Sequence, residues 1–469
     1  METVSSDFRN APSYIGEGGK RNWVFPKKPS GPLHNWRVLA TIVLLGILFA
    51  GPFIKIGGQP FLLLNIFDRK FIIFGQVFWP QDTHLLIFLL LIFFVFIILF
   101  TVAFGRVWCG WACPQTLFME MVFRKIEYWI EGDYTSQRKL SQAPWSTEKL
   151  FKRTIKYGVF LLISLAISHT VMAYLMGIDE TLAIVSQSPA EHMAGFIGLM
   201  VFTGIFFFVF AFLRDQACTV ICPYGRLQGV LLDKNSIVVI YDWLRGEPRG
   251  KIKKAEVQES KGDCIDCKLC VHVCPTGIDI RNGTQMECVN CTACIDACDD
   301  VMVKINKPKG LIRFDSHAGI EEKKPFRITP RLAAYSLVLV LLLAAFAALL
   351  ITRTDFEATI TKVRGTTFQQ QPDGSVSNLY NIQLVNKTFS DIPVRLSIGQ
   401  SKAEIVLVGG DKILLPQQEK IEQTFFIKLP AEEITQHRQD LAIEVYAGEE
   451  LIETIETSFV APVKRKNAN

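Results

Sequence analysis

The stretch from 264 to 298, CIDCKLCVHVCPTGIDIRNGTQMECVNCTACIDAC, decides how the chain is read. It holds two quartets: Cys264, Cys267, Cys270 and Cys274, then Cys288, Cys291, Cys294 and Cys298. Both have the spacing C-x2-C-x2-C-x3-C. Three thiols two residues apart curl around one face of an iron–sulfur cube, and the helix that follows carries the fourth away. The spacing therefore predicts two 4Fe-4S clusters with crossed ligation. Cys264, Cys267, Cys270 and Cys298 would hold one; Cys274, Cys288, Cys291 and Cys294 would hold the other. A lone C-x2-C reads as zinc, which closes on four ligands, but two tandem quartets with the fourth cysteine at x3 do not. Eight thiolates leave no open iron position, so the expected work is electron relay. One departure is Asp299, which follows Cys298 where Pro275 follows the first quartet.

Working outward, this spacing is that of bacterial ferredoxins with two clusters, and it sets a ferredoxin-like domain at 233–330. All twelve cysteines lie between Cys109 and Cys298, and the last 171 residues have none. Clustered spacing in a long chain points to metal ligation in a reducing compartment rather than a disulfide scaffold. The 469 residues are 49% hydrophobic and only 20% charged, which excludes a disordered chain or a fibrous repeat. No basic stripe with interleaved aromatics suggests nucleic acid.

The apolar residues are concentrated in five blocks near the length of a membrane span: 37–53, 85–104, 157–176, 193–213 and 332–351. The second, LLIFLLLIFFVFIILF, has no polar face and cannot be an ordinary core helix. The segment 106–156 carries nine Lys/Arg, whereas 177–191 carries none. By the positive-inside rule the N-terminus, 106–156 and 214–331 are cytoplasmic, and the tail is outside. The expected organisation is a cytoplasmic segment 1–36, a membrane domain 37–232 with four spans, the ferredoxin-like domain, a fifth span at 331–352 and a periplasmic domain 353–469. The expectation is a multi-domain protein of the bacterial inner membrane, an α-helical bundle in contact with lipid. Segment 115–131, QTLFMEMVFRKIEYWIE, reads either as an amphipathic helix on the inner leaflet or as a helix packed on the bundle. In the tail, Tyr380, Ile382 and Leu384 alternate with polar residues. Some seven short β-prone runs there suggest an all-β, immunoglobulin-like sandwich.

The other four cysteines form pairs. Cys109 and Cys113 lie in AFGRVWCGWACP (103–114), and Cys218 and Cys222 in AFLRDQACTVICP (211–223). The segments look like a degenerate repeat, with one extra residue between Arg and Cys in the second. Spacing i, i+4 would put both sulfurs of a pair on one helix face. Pro114 and Pro223 would free the carbonyls of Gly110 and Thr219. Arg106 and Arg214 would favour thiolates. Copper, a further cluster and dithiol–disulfide cycling are all compatible with four such thiols. His84, His169 and His192 sit in or beside spans, where a satisfied packing role is the simpler reading, and lone His437 reads as a surface residue.

With the motifs GRVWCGWACPQ and QACTVICPYGR, the twin quartets and the β-rich tail, the chain resembles the FixG/CcoG/RdxA family of cytochrome c oxidase accessory proteins over nearly its whole length. The resemblance implies a part in assembling a cbb3-type oxidase, with Cu(II) reduced to Cu(I) for the oxidase copper centre. It places Cys109, Cys113, Cys218 and Cys222 in the family's intramembrane motif and implies oxidase subunits or a copper chaperone as partners. The expected function is a metal reductase fed by a cytoplasmic electron donor, with copper at the paired thiols. The alternatives are a quinol-linked electron-transfer subunit for a periplasmic reductase and a non-enzymatic redox sensor or scaffold.

Overall fold

The computed structural model describes residues 23–56, 58–66, 69–251, 261–323, 327–363, 365–388, 390–399, 402–410 and 412–462. Arg9, Lys20 and Arg21, part of the basic N-terminal segment, lie outside them. The helices that carry the argument are α1 (Pro32–Ala50), α2 (Thr83–Phe104), α3 (Thr147–Met176), α4 (Met193–Phe208), α5 (Pro223–Leu231), α6 (Ala293–Lys304) and α7 (Pro330–Ile351). Five of them, α1 to α4 and α7, are long and apolar enough to cross a membrane. A 3-10 turn continues α1 to Phe53, and a π-helical turn continues α4 to Leu213.

Two of these helices begin earlier than their apolar blocks. Ser146 caps α3, its Oγ accepting the Lys149 N–H at 3.2 Å, and the first turns are polar. Pro32 opens α1, and the amides of Leu33 and His34 donate to the Asp296 carboxylate at 3.2 and 2.8 Å. Asp296 lies in α6, between two quartet cysteines. Gly31 (φ +143) makes this approach possible, since a Cβ there would stand 2.4 Å from Asp296 Cγ.

Segment 115–131 packs on the bundle rather than lying on a leaflet. It forms a short helix Pro114–Leu117, a π-helical stretch Phe118–Phe123 and a helix Arg124–Ile130. Phe118, Met119 and Phe123 pack with Phe160 of α3 and Phe210. Three of the charged residues point inward: Arg124 and Glu127 are each 2% exposed and Glu131 4%, whereas Trp129 is 84% exposed. Ion pairs make that burial possible. Arg124 meets Glu120 and Asp215, both at 3.0 Å, Glu127 meets Lys156 and Arg214, and Glu131 meets Lys156 at 2.9 Å.

Strands β1 (Val238–Tyr241) and β2 (Ile312–Asp315) pair antiparallel and flank the quartets. The end of α2 meets this region directly. Ile237 N–H donates to Ala103 O at 3.0 Å, and Ser236 Oγ to Val102 O at 2.7 Å. The quartets and the first four apolar helices thus belong to one compact unit.

The second unit holds residues 347–462 with the short pieces 56–59 and 72–79. Its strands are β3 (Phe356–Lys362), β4 (Val376–Asn386), β5 (Ile392–Ser397), β6 (Glu404–Leu407), β7 (Ile413–Leu415), β8 (Lys420–Leu429), β9 (Arg438–Ala447) and β10 (Glu450–Val460). One sheet runs β6-β8-β4-β3 and the other β7-β5-β9-β10. Tyr380, Ile382 and Leu384 on β4 are fully buried with Phe425 and Ile427 of β8 and Ile443 and Val445 of β9. Period-2 alternation therefore builds a two-sheet core.

Candidate redox site

The structure gathers the quartet thiols around two cavities. Cys264, Cys267, Cys270 and Cys298 line the first with Tyr241, Leu269 and Ile312. Cys274, Cys288, Cys291 and Cys294 line the second with Val239, Ile278 and Thr292, and Cys270 borders it too. Among the described residues no three His, Cys, Asp or Glu side chains close on a point as they would around one ion. The thiols stand back around a void, which fits a multi-iron cluster better than zinc. Burial pushes six of these thiols up: Cys270, Cys288 and Cys298 to about 12, Cys274 to about 11, and Cys291 and Cys294 in the same direction. Bare, they are neutral at pH 7, so iron binding would displace their protons.

The first pair sits against the second cavity through Cys109. Cys109 packs with Val273, Val289, Cys291 and Ala293. Gly110 abuts the backbone of the second quartet: a Cβ there would lie 2.3 Å from Val289 O and 3.1 Å from Asn290 C. Pro114 frees Gly110 O from the helix, and Arg37 Nε donates to it at 2.7 Å. The second copy joins through α5. Gln228 Oε1 accepts from Cys109 Sγ at 3.2 Å and from Arg106 Nε at 2.8 Å. Gly225 lies against Cys218 O and the Arg106 guanidinium.

Neither pair lies on one helix face. Cys109 is inside the helix Val107–Trp111 and Cys218 inside the π-helical turn Ala217–Ile221. Cys113 and Cys222 come after the break, in extended backbone, capping the helices that Pro114 and Pro223 open. The repeat also has no insertion. Its left-handed turns are Gly105 (φ 58, ψ −135) and Arg214 (φ 53, ψ −126). Counted from them, both copies place Cys at +4 and +8 and Pro at +9.

The two arginines differ. Arg214 bonds Glu127 and stands over the Trp23 ring. Burial, with Cys113 and Asp215 nearby, pushes the Cys218 thiol up to about 12. Burial also raises Cys109, against the pull of Arg106. Cys113 lies close enough to add to the rise of both Cys109 and Cys218. Arg106 and Arg37 are 3% and 2% exposed, and neither forms an ion pair with a described residue. Among the described residues Arg106 donates to Gln228 and to Met286 O, and it lowers the neighbouring Cys109 thiol by a hydrogen bond. Arg37 Nη2, Arg106 Nη2, Gln228 Nε2 and Asn290 Nδ2 are buried donors without an acceptor among the described residues. Buried cations and orphan donors around sulfur suit sulfurs that carry negative charge.

The histidines stay apart. His169 faces the Leu165 carbonyl of its own helix at 2.8 Å, His192 bonds Gln187, and His84 and His437 are exposed.

Comparison with known proteins bears on both regions. Residues 213–317 match the family profile described as a 4Fe-4S dicluster domain, and 86–133 match one described as a 4Fe-4S binding domain. The first takes in both quartets with Cys218 and Cys222, the second Cys109 and Cys113. Residues 346–462 match the profile described as an IG-like fold at the C-terminal of FixG. Protein RdxA of Cereibacter sphaeroides is 37% identical over 398 residues, 81% of this chain and 83% of RdxA. Nitrogen fixation protein FixG of Rhizobium meliloti is 32% identical over 448 residues, 87% of this chain and 84% of FixG. The crystal structure of a FixG-related protein from Vibrio parahaemolyticus aligns with 23% of this chain and 97% of its own at 14% identity, with a TM-score of 0.20.

Proposed function

The chain belongs to the FixG/RdxA family of iron–sulfur redox proteins, and we propose that it is a membrane electron carrier that reduces Cu(II) to Cu(I) at its paired thiols. Cys264, Cys267, Cys270 and Cys298 would hold one 4Fe-4S cluster, and Cys274, Cys288, Cys291 and Cys294 the other. Bound there, the clusters supply one-electron carriers. Cys109, Cys113, Cys218 and Cys222 would take copper, drawing in around it from positions that do not converge on one ion beforehand. Copper binding would displace the thiol protons to solvent, and thiolate sulfur favours Cu(I). Each Cu(II) gains one electron, which a cytoplasmic one-electron donor replaces.

The observation that carries this reading is the seat of Gly110 on Val289 and Asn290, which sets Cys109 beside Cys291. Arg37 and Arg106 add positive charge where thiolates would form. The distribution of Lys and Arg favours quartets on the cytoplasmic face and the sandwich outside. There the sandwich would dock oxidase subunits or a copper chaperone during assembly of a cbb3-type oxidase.

The test is anaerobic reduction of Cu(II) by the reduced protein, read with a Cu(I)-specific chelator. Cys109→Ser and Cys218→Ser should each slow it at least about tenfold, roughly 1.4 kcal/mol, while iron content holds. Unchanged rates in both variants would remove the paired site from the reaction. One feature favours a quinol-linked reading instead. A cavity of about 720 Å³ lies between α3 and α4, lined by Val171, Leu175, Leu199 and Phe202 with His192 nearby, within the range of small-molecule sites. Reduction of the clusters by a quinol analogue would support that reading.

A further inference from the structure

Of the twelve cysteines, Cys267 alone is exposed. It lines the first cavity, and no residue of 264–270 takes part in the packing around Cys109. The two ends of the thiol array therefore face different surroundings. The second quartet meets the paired thiols, and the first meets solvent.

The ground around Cys267 is cationic. Lys268 follows it directly, in left-handed backbone (φ 58) and exposed. Gly250 N–H donates to Cys264 O at 3.0 Å, which ties Arg249 and Lys251 to the same rim. The Lys261 side chain lies near Gly250, 3.6 Å from where its Cβ would stand. Arg249, Lys251 and Lys261 are also exposed.

The carboxylates of this face are already engaged. Arg281 holds Asp266 at 2.6 Å and Asp279 at 2.7 Å. Arg245 and Lys307 hold Asp263 at 2.5 and 3.0 Å. Glu247 accepts from Arg249 N–H at 3.0 Å and from the Tyr241 hydroxyl at 3.2 Å. Lys251, Lys261 and Lys268 form no ion pair with a described residue. Among the described residues, unpaired cations thus outnumber unpaired carboxylates around the one solvent-facing thiol.

We propose that this face, centred on Cys267 and ringed by Arg249, Lys251, Lys261 and Lys268, is the electron entry port and docks a small acidic one-electron carrier protein. The proposal rests on the electron-transfer reading and adds the partner's chemistry and the order of the thiol sites. The partner's centre gives up one electron and the first quartet's cluster gains it. Charge of opposite sign steers the encounter and orients the partner's centre toward Cys267.

The test uses the full-length iron-loaded protein and reduced flavodoxin, an acidic one-electron flavoprotein, in anaerobic stopped flow. Cluster bleaching should be second order and should slow at least about tenfold between low salt and about 0.3 M salt. Lys261→Glu with Lys268→Glu should slow it about tenfold at low salt and flatten the salt dependence. Iron content should match the parent protein. Reduced methyl viologen, a small cation, should bleach the double variant at least as fast as the parent. A salt-independent flavodoxin rate, or equal rates in variant and parent, would overturn the port. Failure of methyl viologen to bleach the parent would instead overturn the electron-transfer reading.

Discussion

The two C-x3-C-Pro copies share a backbone and differ in what they press against. Each turns through a left-handed residue, places its cysteines at +4 and +8, and opens a helix with proline. In the first copy the turn is Gly105, which needs no side chain and could tolerate little. A Cβ there would lie 2.7 Å from Val238 Cγ1 and 3.1 Å from Asn290 Nδ2. In the second copy the turn is Arg214, in a region costing a non-glycine residue about 1–3 kcal/mol. Its guanidinium is anchored by Glu127. Arg106 in the first copy has no such carboxylate. Buried charge is costly unless compensated. The second arginine is compensated by protein and holds the bundle together. The first is left facing sulfur. The arginines of one repeat have therefore come to different work: Arg214 ties the bundle through Glu127, and Arg106 faces the Cys109 thiol.

The largest expected effect breaks the structural half. Glu127→Gln keeps the shape and removes the charge that balances Arg214 and Lys156. Losing one partner of a buried pair costs about 3–5 kcal/mol. Thermal unfolding in detergent should fall accordingly, with the cluster potentials unchanged. A variant that unfolds like the parent would mean that Arg214 is balanced elsewhere and that the contrast is false.

Next comes the contact itself. Gly110 and Thr219 are equivalent, each directly after the first cysteine of its pair. Gly110→Val drives a side chain into Val289 O and must separate the pair from the second quartet. Copper reduction should fall about a hundredfold, roughly 2.7 kcal/mol, with both clusters retained by electron paramagnetic resonance. Thr219 Oγ1 bonds only Asp215 O, at 3.3 Å, and its side chain is half-buried. Thr219→Val should stay within about threefold, under about 1 kcal/mol. Equal losses in the two would show that proximity to the quartet is not what distinguishes the copies.

How much of this was legible follows from how local each signal is. The quartets, the alternation of Tyr380, Ile382 and Leu384, and the faceless apolar block of α2 are written within a few residues. Each could be read from spacing alone. The seating of the cluster region on the helices was not, because its contacts join distant residues. Asp296 caps α1 from 263 residues away, and Gly110 meets Val289 across a comparable gap. The packing of 115–131 was ambiguous for another reason. Charges at Arg124 and Glu127 look like a solvent face until their partners Asp215, Lys156 and Arg214 are in place. The register of the repeat was hidden because arginine gives no hint of a positive φ. Aligning on the arginines therefore invented an insertion that the backbone does not contain.

The smallest effect is the sharpest, because it isolates charge from shape. Arg106 and Arg214 can each be changed to Gln, a side chain able to keep one hydrogen bond. If Arg106 compensates anionic sulfur, its loss disfavours the more negative, reduced state of the second quartet's cluster, and the reduction potential should fall. A tenfold shift in a one-electron equilibrium is about 59 mV, the size expected for one partly screened buried charge. Arg214→Gln should lower stability and leave that potential within about 15 mV, under a twofold shift on the same scale. Redox titration of the full-length protein, followed by electron paramagnetic resonance, separates the outcomes. Equal shifts would mean that both arginines act only through a common field. A fall confined to Arg106→Gln would tie the unpaired guanidinium to the electron path.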